Sequence, residues 1–305
     1  MSETADDDDD DGSGHDERRD VVVVGGGPAG CSAGVFTARY GLDTLVFDRG
    51  NAALQRCAFV ENYPGFPGGV DVPTLLDLFR DHAAAAGCDR IEDTVESVER
   101  PADDESGFVV ETQDGRRVRA SYVLAAAWYD GSYLRPVVGD DAFEVHDHHG
   151  ETHERFDHEY ADVDGRTPAD GLYVASPGGE RSAQVVIAAG NGAHVARSLL
   201  EDHKRERGFP EGVAPHYDWK RPESEFSGEW GDRDRWREWF EAEAGDDHGL
   251  DDDRFAELRE AYIDRAFDTK LTDEEIARQT EAGYHRLLDH VDDEYIESYL
   301  DDRRE

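Results

Sequence analysis

Lysine is nearly missing from this 305-residue chain: Lys204, Lys220 and Lys270 are all there is, and arginine supplies the other side-chain cations. Against 32 basic residues stand 73 acidic ones, a formal net charge of -41. A surface so one-sided repels itself in dilute buffer and needs counterions to stay compact. It also argues against nucleic acid as a partner, because a polyanion would meet a like-charged face. Cysteine is scarce: Cys31, Cys57 and Cys88 are odd in number and widely spaced, which fits reduced thiols in a cytosol better than a disulfide framework. No apolar run approaches ~18 residues and no basic-plus-apolar segment opens the sequence. Neither a membrane span nor an export signal is therefore expected, and the protein is read as cytoplasmic. Hydrophobic residues make up 37% of the chain, so a core is possible but cannot extend evenly through it.

The first residues with a strong pattern are VVVVGGGPAG. Asp6 to Asp11 is an unbroken acidic run, and residues 1–19 are expected to be a disordered, solvated tail. Val21 to Val24 is a β-branched apolar run, the signature of a buried parallel strand. Gly25, Gly27 and Gly30 then fall in GxGxxG register, Ala29 to Tyr40 has helical character, and Thr44 to Asp48 reads as a second strand ending in an acid. Gly25 permits the tight turn, Gly27 lets the backbone approach a pyrophosphate, and Gly30 lets helix and strand pack closely. The helix opening at Pro28 and Ala29 faces its positive end toward the phosphates. Asp48 is placed to accept hydrogen bonds from a ribose diol, and as a bare carboxylate it would repel a 2′-phosphate. The strand–turn–helix context makes this a dinucleotide site for FAD or NAD rather than NADP.

Further on, FVENYPGFPGGV (residues 59–70) packs prolines, glycines and aromatics too densely for a helix. GGGPAG, VENYPGFPGG and the later ADGLYVAS…QVVIAAGNGA together resemble the thioredoxin reductase branch of the FAD-dependent pyridine nucleotide-disulfide oxidoreductases. The matching segments run from Asp20 to Trp128 and from Ala169 to Asp202, just under half of the chain. The resemblance implies FAD as cofactor, with Asn62 near the flavin, Gln184 approaching the isoalloxazine ring and the backbone near Val95 meeting the adenine. It also implies that the 59–70 loop lies against the flavin. Ile91 to Arg100, Gly107 to Gln113 and Arg116 to Ala120 alternate as a small antiparallel meander with Asp114-Gly115 as its turn, and Tyr122 to Ala127 returns as an apolar strand. Low lysine with excess carboxylate resembles proteins of salt-accumulating halophiles of the haloarchaeal type, a mark of habitat rather than function.

Three elements of that family are missing. No second GxGxxG follows a strand downstream, Gly190-Asn191-Gly192 being the nearest candidate with Val195 in place of the third glycine. The connector at residues 129–168 is too short for an NADPH-binding domain, which needs on the order of a hundred residues. There is no CxxC, so the family's redox disulfide cannot form. The family's ATG has become Ala126-Ala127-Trp128, and its late GD aligns with Ser176-Pro177. The connector instead holds five of the thirteen histidines (His146, His148, His149, His153, His158), with His149 and His153 spaced as on one helical face. Without regular ligand spacing, no metal site is assigned. Cys57 is read as a small buried thiol and Cys31 as a packing residue.

Residues 204–305 read as an acidic helical extension. Asp232 to Ala244, Asp251 to Phe267 and Asp273 to Val291 carry helical spacing, and Thr272 with Glu275 forms a capping box. Ile276, Tyr284, Leu287, Leu288 and Val291 form one apolar stripe and Phe255, Leu258 and Tyr262 another, both expected to pack on neighbouring elements. Trp230, Trp236, Trp239 and Phe240 are expected to cover the flavin face that a missing NADPH domain leaves open.

The expected fold is α/β: a Rossmann-like FAD-binding domain in two parts (residues 20–128 and 169–203), a parallel sheet with an inserted β-meander, and an α-helical C-terminal extension. The expected function is a FAD-dependent oxidoreductase that draws electrons from an external donor such as NAD(P)H, ferredoxin or another carrier. The alternative is a non-catalytic FAD- or nucleotide-binding module with a sensing or scaffolding role. No catalytic residue can be named, and the oligomeric state stays open, a homodimer included.

Overall fold

The computed structural model describes residues 17–102, 106–127, 131–148, 151–175 and 184–304. The strands are β1 (Glu17–Val24), β2 (Thr44–Phe47), β3 (Asp89–Ile91), β4 (Val95–Glu99), β5 (Phe108–Thr112), β6 (Arg117–Ala125), β7 (Phe143–His148), β8 (Glu151–Phe156), β9 (Leu172–Val174) and the short pair β10 (Arg221–Pro222) and β11 (Lys270–Leu271). The helices are α1 (Pro28–Tyr40), α2 (Val72–Ala86), α3 (Arg135–Val138), α4 (Val185–Glu206), α5 (Arg233–Ala244), α6 (Asp252–Phe267), α7 (Asp273–Leu288) and α8 (Asp293–Asp302). A seven-stranded sheet runs β3-β2-β1-β6-β5-β4, with β9 also paired to β6. This is a Rossmann-like α/β domain with a parallel-dominated sheet.

β1 is buried on both faces, as a central parallel strand must be. Val21 and Val23 enter the core under α1 and α4, while Val22 and Val24 enter the core beneath the meander. The strand starts at Glu17, inside the stretch expected to belong to the tail. Arg19 explains this, because its guanidinium bridges Glu17, Asp43 and Asp89 at 2.6–2.7 Å and ties the strand start to its neighbours.

The last strand expected of the meander (Arg116 to Ala120) and the returning strand (Tyr122 to Ala127) are not two strands but one. β6 runs unbroken and pairs in parallel with β1 from Val118 to Ala125. Its other edge is divided: residues 117–120 pair antiparallel with β5, and Val123 to Ala125 pair in parallel with β9. The long ladder to β1 holds the backbone straight through the exposed Ser121.

In the connector, β7 and β8 form an antiparallel hairpin in which His146 stands opposite His153. His153 lies in the extended β8, and His149, the other member of the expected helical pair, lies outside the described residues, as do Trp128 and Ser176 to Gly179. Among the described residues no cluster of three or more potential metal ligands occurs.

α5 and α6 begin one residue inside the expected starts, because Asp232 and Asp251 serve as side-chain caps, while α7 begins at Asp273 as expected, capped by Thr272. Thr272 and Glu275 complete the capping box. Phe255, Leu258 and Tyr262 pack with Phe209, Val213 and Phe240. The stripe on α7 behaves otherwise: Ile276, Tyr284, Leu287, Leu288 and Val291 are all exposed. Arg286 and His290 clasp Asp81 of α2, which anchors α7 by polar contacts and leaves the apolar side uncovered. No described helix is long and apolar enough to cross a membrane.

The extension docks on the C-terminal end of α1. Arg39 pairs with Asp218 at 2.5 Å, the Arg265 guanidinium lies 3.9 Å from the centre of the Tyr40 ring, and His216 meets that ring edge-on at 4.9 Å. His216 is buried, and its Nε2 has no hydrogen-bond partner. Burial, with the Arg265 and Lys204 charges nearby, pulls its pKa down to about 4 from the ordinary 6.5. Above pH 6.5 the imidazole is neutral in both folded and unfolded chains and has no effect on the balance. As pH falls from 6.5 to 4 the unfolded chain takes up a proton that the folded chain refuses, so stability drops by up to about 3 kcal/mol. Chemical denaturation at pH 7.5 and 4.5 should show this loss in the wild type and much less of it in His216→Phe; equal pH slopes would contradict the assignment.

Candidate dinucleotide-binding site

The turn after β1 is shaped by two approaches that no side chain could share. Gly25 has φ +116°, and a Cβ there would lie 2.8 Å from the Ala126 carbonyl at the end of β6. A Cβ on Gly26 would fall 2.3 Å from Cγ of Asp48, so the middle glycine is what lets the acid tuck under the turn. Gly30 packs against the Gly25 carbonyl, the close helix–strand contact expected of it. Gly27 differs, since its nearest neighbour would be Cβ of Ala52 at 3.9 Å. It caps α1, with Pro28 in the first turn and no acidic side chain there, so the first amides of the helix face outward undiminished.

That outward direction is a cavity of about 580 Å³, within the range of small-ligand pockets. It joins segments far apart in sequence: Gly25 to Ala29, Asp48, residues 57, 59–62, Ala126 and Ala127, and Gln184 with Val185 at the start of α4. Asn62 Nδ2 donates to Gln184 Oε1 at 2.6 Å. Two helix N-termini, those of α1 and α4, therefore open on one cavity and favour negative charge within it. Val95 is buried in β4 and is not among the residues lining this cavity.

The 59–70 loop is closed by Val60 and Val70, whose amides and carbonyls pair at 3.0 and 2.9 Å. Its first residues form cavity wall, while Tyr63 and Phe66 turn onto Phe79 of α2 and the core around Leu75 and Val185. Only part of the loop faces the cavity. Cys57 is exposed and lines the cavity, contrary to the expectation of a buried thiol, because it follows a 3₁₀ turn (Ala53–Arg56) that runs along the cavity edge. Cys31 is buried as expected, with its Sγ donating to the Gly26 carbonyl and burial pushing its thiol up to about 12. Gly190 to Gly192 belong to α4 and form no second nucleotide turn; Gly192 lets that helix press on the backbone of α1 at Ala29.

Asp48 is not the bare carboxylate expected. Its Oδ1 accepts the Gly50 amide at 3.0 Å, while Oδ2 accepts Arg80 at 3.1 Å and Arg90 at 3.2 Å. Two guanidiniums beside one buried carboxylate offset the repulsion of a 2′-phosphate on which the choice against NADP rested. Neither arginine was singled out by sequence reasoning, and no spacing could have pointed to them, because α2 and β3 bring them in from different parts of the chain.

Residues 23–82 match the model of the NAD(P)-binding Rossmann-like domain. A thioredoxin reductase of Aquifex aeolicus is 36% identical over 103 residues, 33% of this chain and 31% of that one. That of Streptomyces clavuligerus is 41% identical over 80 residues, 25% of each. This chain is related to the thioredoxin reductases. Its matches to these curated relatives span less than a third of their length. The solved structure of a thioredoxin reductase from Gloeobacter violaceus superposes with a TM-score of 0.50 at 18% identity, covering 67% of this chain and 98% of the other, which is a likeness of fold. In this thioredoxin reductase-like chain the aromatic residues expected over the flavin lie elsewhere. Trp236 packs with Phe226 and Ile263, Phe240 with Phe209 and Leu258, and neither they nor Trp230 and Trp239 line the cavity. The extension meets α1 at its far end, about 20 Å along the helix from Gly27.

Proposed function

We propose that this chain is a FAD-dependent oxidoreductase that receives electrons from a separate donor. The observation that carries this reading is the meeting of Asn62 and Gln184 on the cavity that opens from the glycine turn. The two segments for which the family resemblance implies a place near a flavin thus share one wall. When bound, FAD would supply the electron-transfer chemistry. The α1 amides would hold the pyrophosphate, Asp48 with its arginines would meet the adenosine ribose, and the N-terminus of α4 would favour negative charge at the ring end of the cavity. Of the three cysteines only Cys57 lines the cavity, and the sequence has no CxxC, so the thiol relay of a thioredoxin reductase is not proposed for it. The working environment is proposed to be a concentrated salt solution, on the strength of the -41 charge.

A second reading, a FAD- or nucleotide-binding module without turnover, draws on the charge pairing of Asp48 and on the single cysteine at the cavity. One experiment separates the two. The protein purified in molar salt should show a flavin spectrum, or acquire it on incubation with FAD, and should bleach under anaerobic NAD(P)H or reduced ferredoxin. Bound flavin that no donor reduces favours the module. Protein that takes up no flavin in molar salt overturns both flavin readings.

A further inference from the structure

A second cavity, of about 640 Å³, lies wholly within the extension. Its walls include Tyr217, Trp219, Trp230, Trp236, Trp239 and Tyr262, and so hold four of the five tryptophans of the chain. The rings stand at steep angles: Trp230 to Trp236 at 5.2 Å and 73°, Trp236 to Trp239 at 6.1 Å and 74°. Trp236 is the fixed corner, buried, stacked on Phe226 and donating its indole N–H to the Trp230 carbonyl at 2.9 Å. Trp219 is 63% exposed and Tyr217 58%, so this side of the wall is not filling a core, whereas Trp236 is part of one.

Ring faces are the negative side of an aromatic quadrupole and attract cations within about 6 Å of the centroid. Three rings of this wall already hold a protein cation in that way: Tyr217 with Arg197 at 5.3 Å, Trp230 with Arg235 at 5.0 Å, and Tyr262 with Lys204 at 5.2 Å. Among the described residues no protein cation is placed over Trp219 or Trp239. The charged residues on the wall are Glu225, Glu243 and Arg221, a balance of one negative charge. An alkali ion would have to exchange water oxygens for ring carbons and gains little. A quaternary ammonium has no N–H to satisfy and loses little by leaving water, so ring faces suit it.

We propose that this cavity binds a small organic cation of the quaternary-ammonium class, with the exposed Trp219 offering a ring face, the half-buried Trp239 the adjoining aromatic wall, and Glu225 and Glu243 the countercharge. The site lies beyond the residues that match the dinucleotide-binding domain and is independent of any flavin.

The test is isothermal titration of the full chain with choline and with tetramethylammonium, in a fixed high concentration of potassium chloride. The control ligand is 3,3-dimethylbutan-1-ol, which has the shape of choline without its charge. One site per chain is expected, with the neutral isostere at least roughly tenfold weaker. Trp219→Ala, at a side chain exposed enough to leave the fold intact, should weaken choline roughly tenfold, and Glu243→Gln by a smaller factor. Each variant is checked by its thermal transition. Equal affinity for the isostere would reduce the site to an apolar cleft. Heats matched by potassium chloride injections, no saturable binding at all, or unchanged affinity in a folded Trp219→Ala protein would each overturn the proposal.

Discussion

Gly27→Val should leave a folded protein that no longer retains a dinucleotide. The two halves of that result have separate causes on one residue. A Cβ at Gly27 meets nothing nearer than 3.9 Å, and its backbone (φ -83°, ψ -172°) is one that a β-branched residue adopts without strain. The protein itself should therefore tolerate the change, with a thermal midpoint within a few degrees of wild type. The valine branches would instead enter the cavity in front of the α1 amides, where a pyrophosphate needs to approach the backbone. Losing that approach should weaken binding by at least about 3 kcal/mol, two decades in Kd. Flavin fluorescence quenching and the flavin-to-protein ratio after dialysis measure it. Gly26→Val is the contrast, since its Cβ would overlap the Asp48 carboxylate and should lower stability before ligand is considered. If folded Gly27→Val binds FAD as well as wild type, the cavity is not the cofactor site.

The difference between these adjacent glycines shows how far the sequence could be read. Val21 to Val24, the turn and α1 are contiguous, so their roles follow from local pattern: a strand buried on both faces, a positive-φ glycine, a helix start without acids. The meeting of Asn62 with Gln184 across 122 positions is not local, and only the resemblance to a family brought those two residues together. What neither route reached depends on packing between distant elements. Arg80 and Arg90 converge on Asp48 only because α2 and β3 flank β2, which turns a lone acid into a charge-paired one. The tryptophans near 230–239 were legible as a cluster, but their direction was not. A period of 3.6 says which residues share a face and is silent on what that face meets. The α7 stripe is the same lesson reversed, an amphipathic pattern that the fold leaves exposed.

Raising potassium chloride from 0.1 M to 2 M should stabilise this protein, by on the order of several kcal/mol or about 10 °C in thermal midpoint. Two electrostatic effects oppose each other. Salt weakens ion pairs, and the structure has many: Glu260 receives Arg233 and Arg237 at 2.8–3.1 Å, and Asp202 binds Arg166 and Arg205 at 2.7 Å. Pairs near the surface are worth about 0–1 kcal/mol each and are in direct hydrogen-bonded contact, with no room for a screening ion between the partners, so salt removes only part of them. Repulsion is the larger quantity. Even if all 32 basic residues were paired, 41 of the 73 acidic residues would have no partner. Carboxylates spread over one surface interact across distances comparable to the ~10 Å Debye length at 0.1 M, and those interactions vanish in molar salt. The net stability of a domain is only about 5–15 kcal/mol, so relief of this size decides whether the chain is folded. Thermal scans should rise steeply up to about 1 M and flatten beyond it. An equal osmolality of sucrose should not reproduce the rise, because sucrose screens no charge. A midpoint that falls with potassium chloride, or that sucrose raises equally, would show that carboxylate repulsion does not govern the stability of this fold.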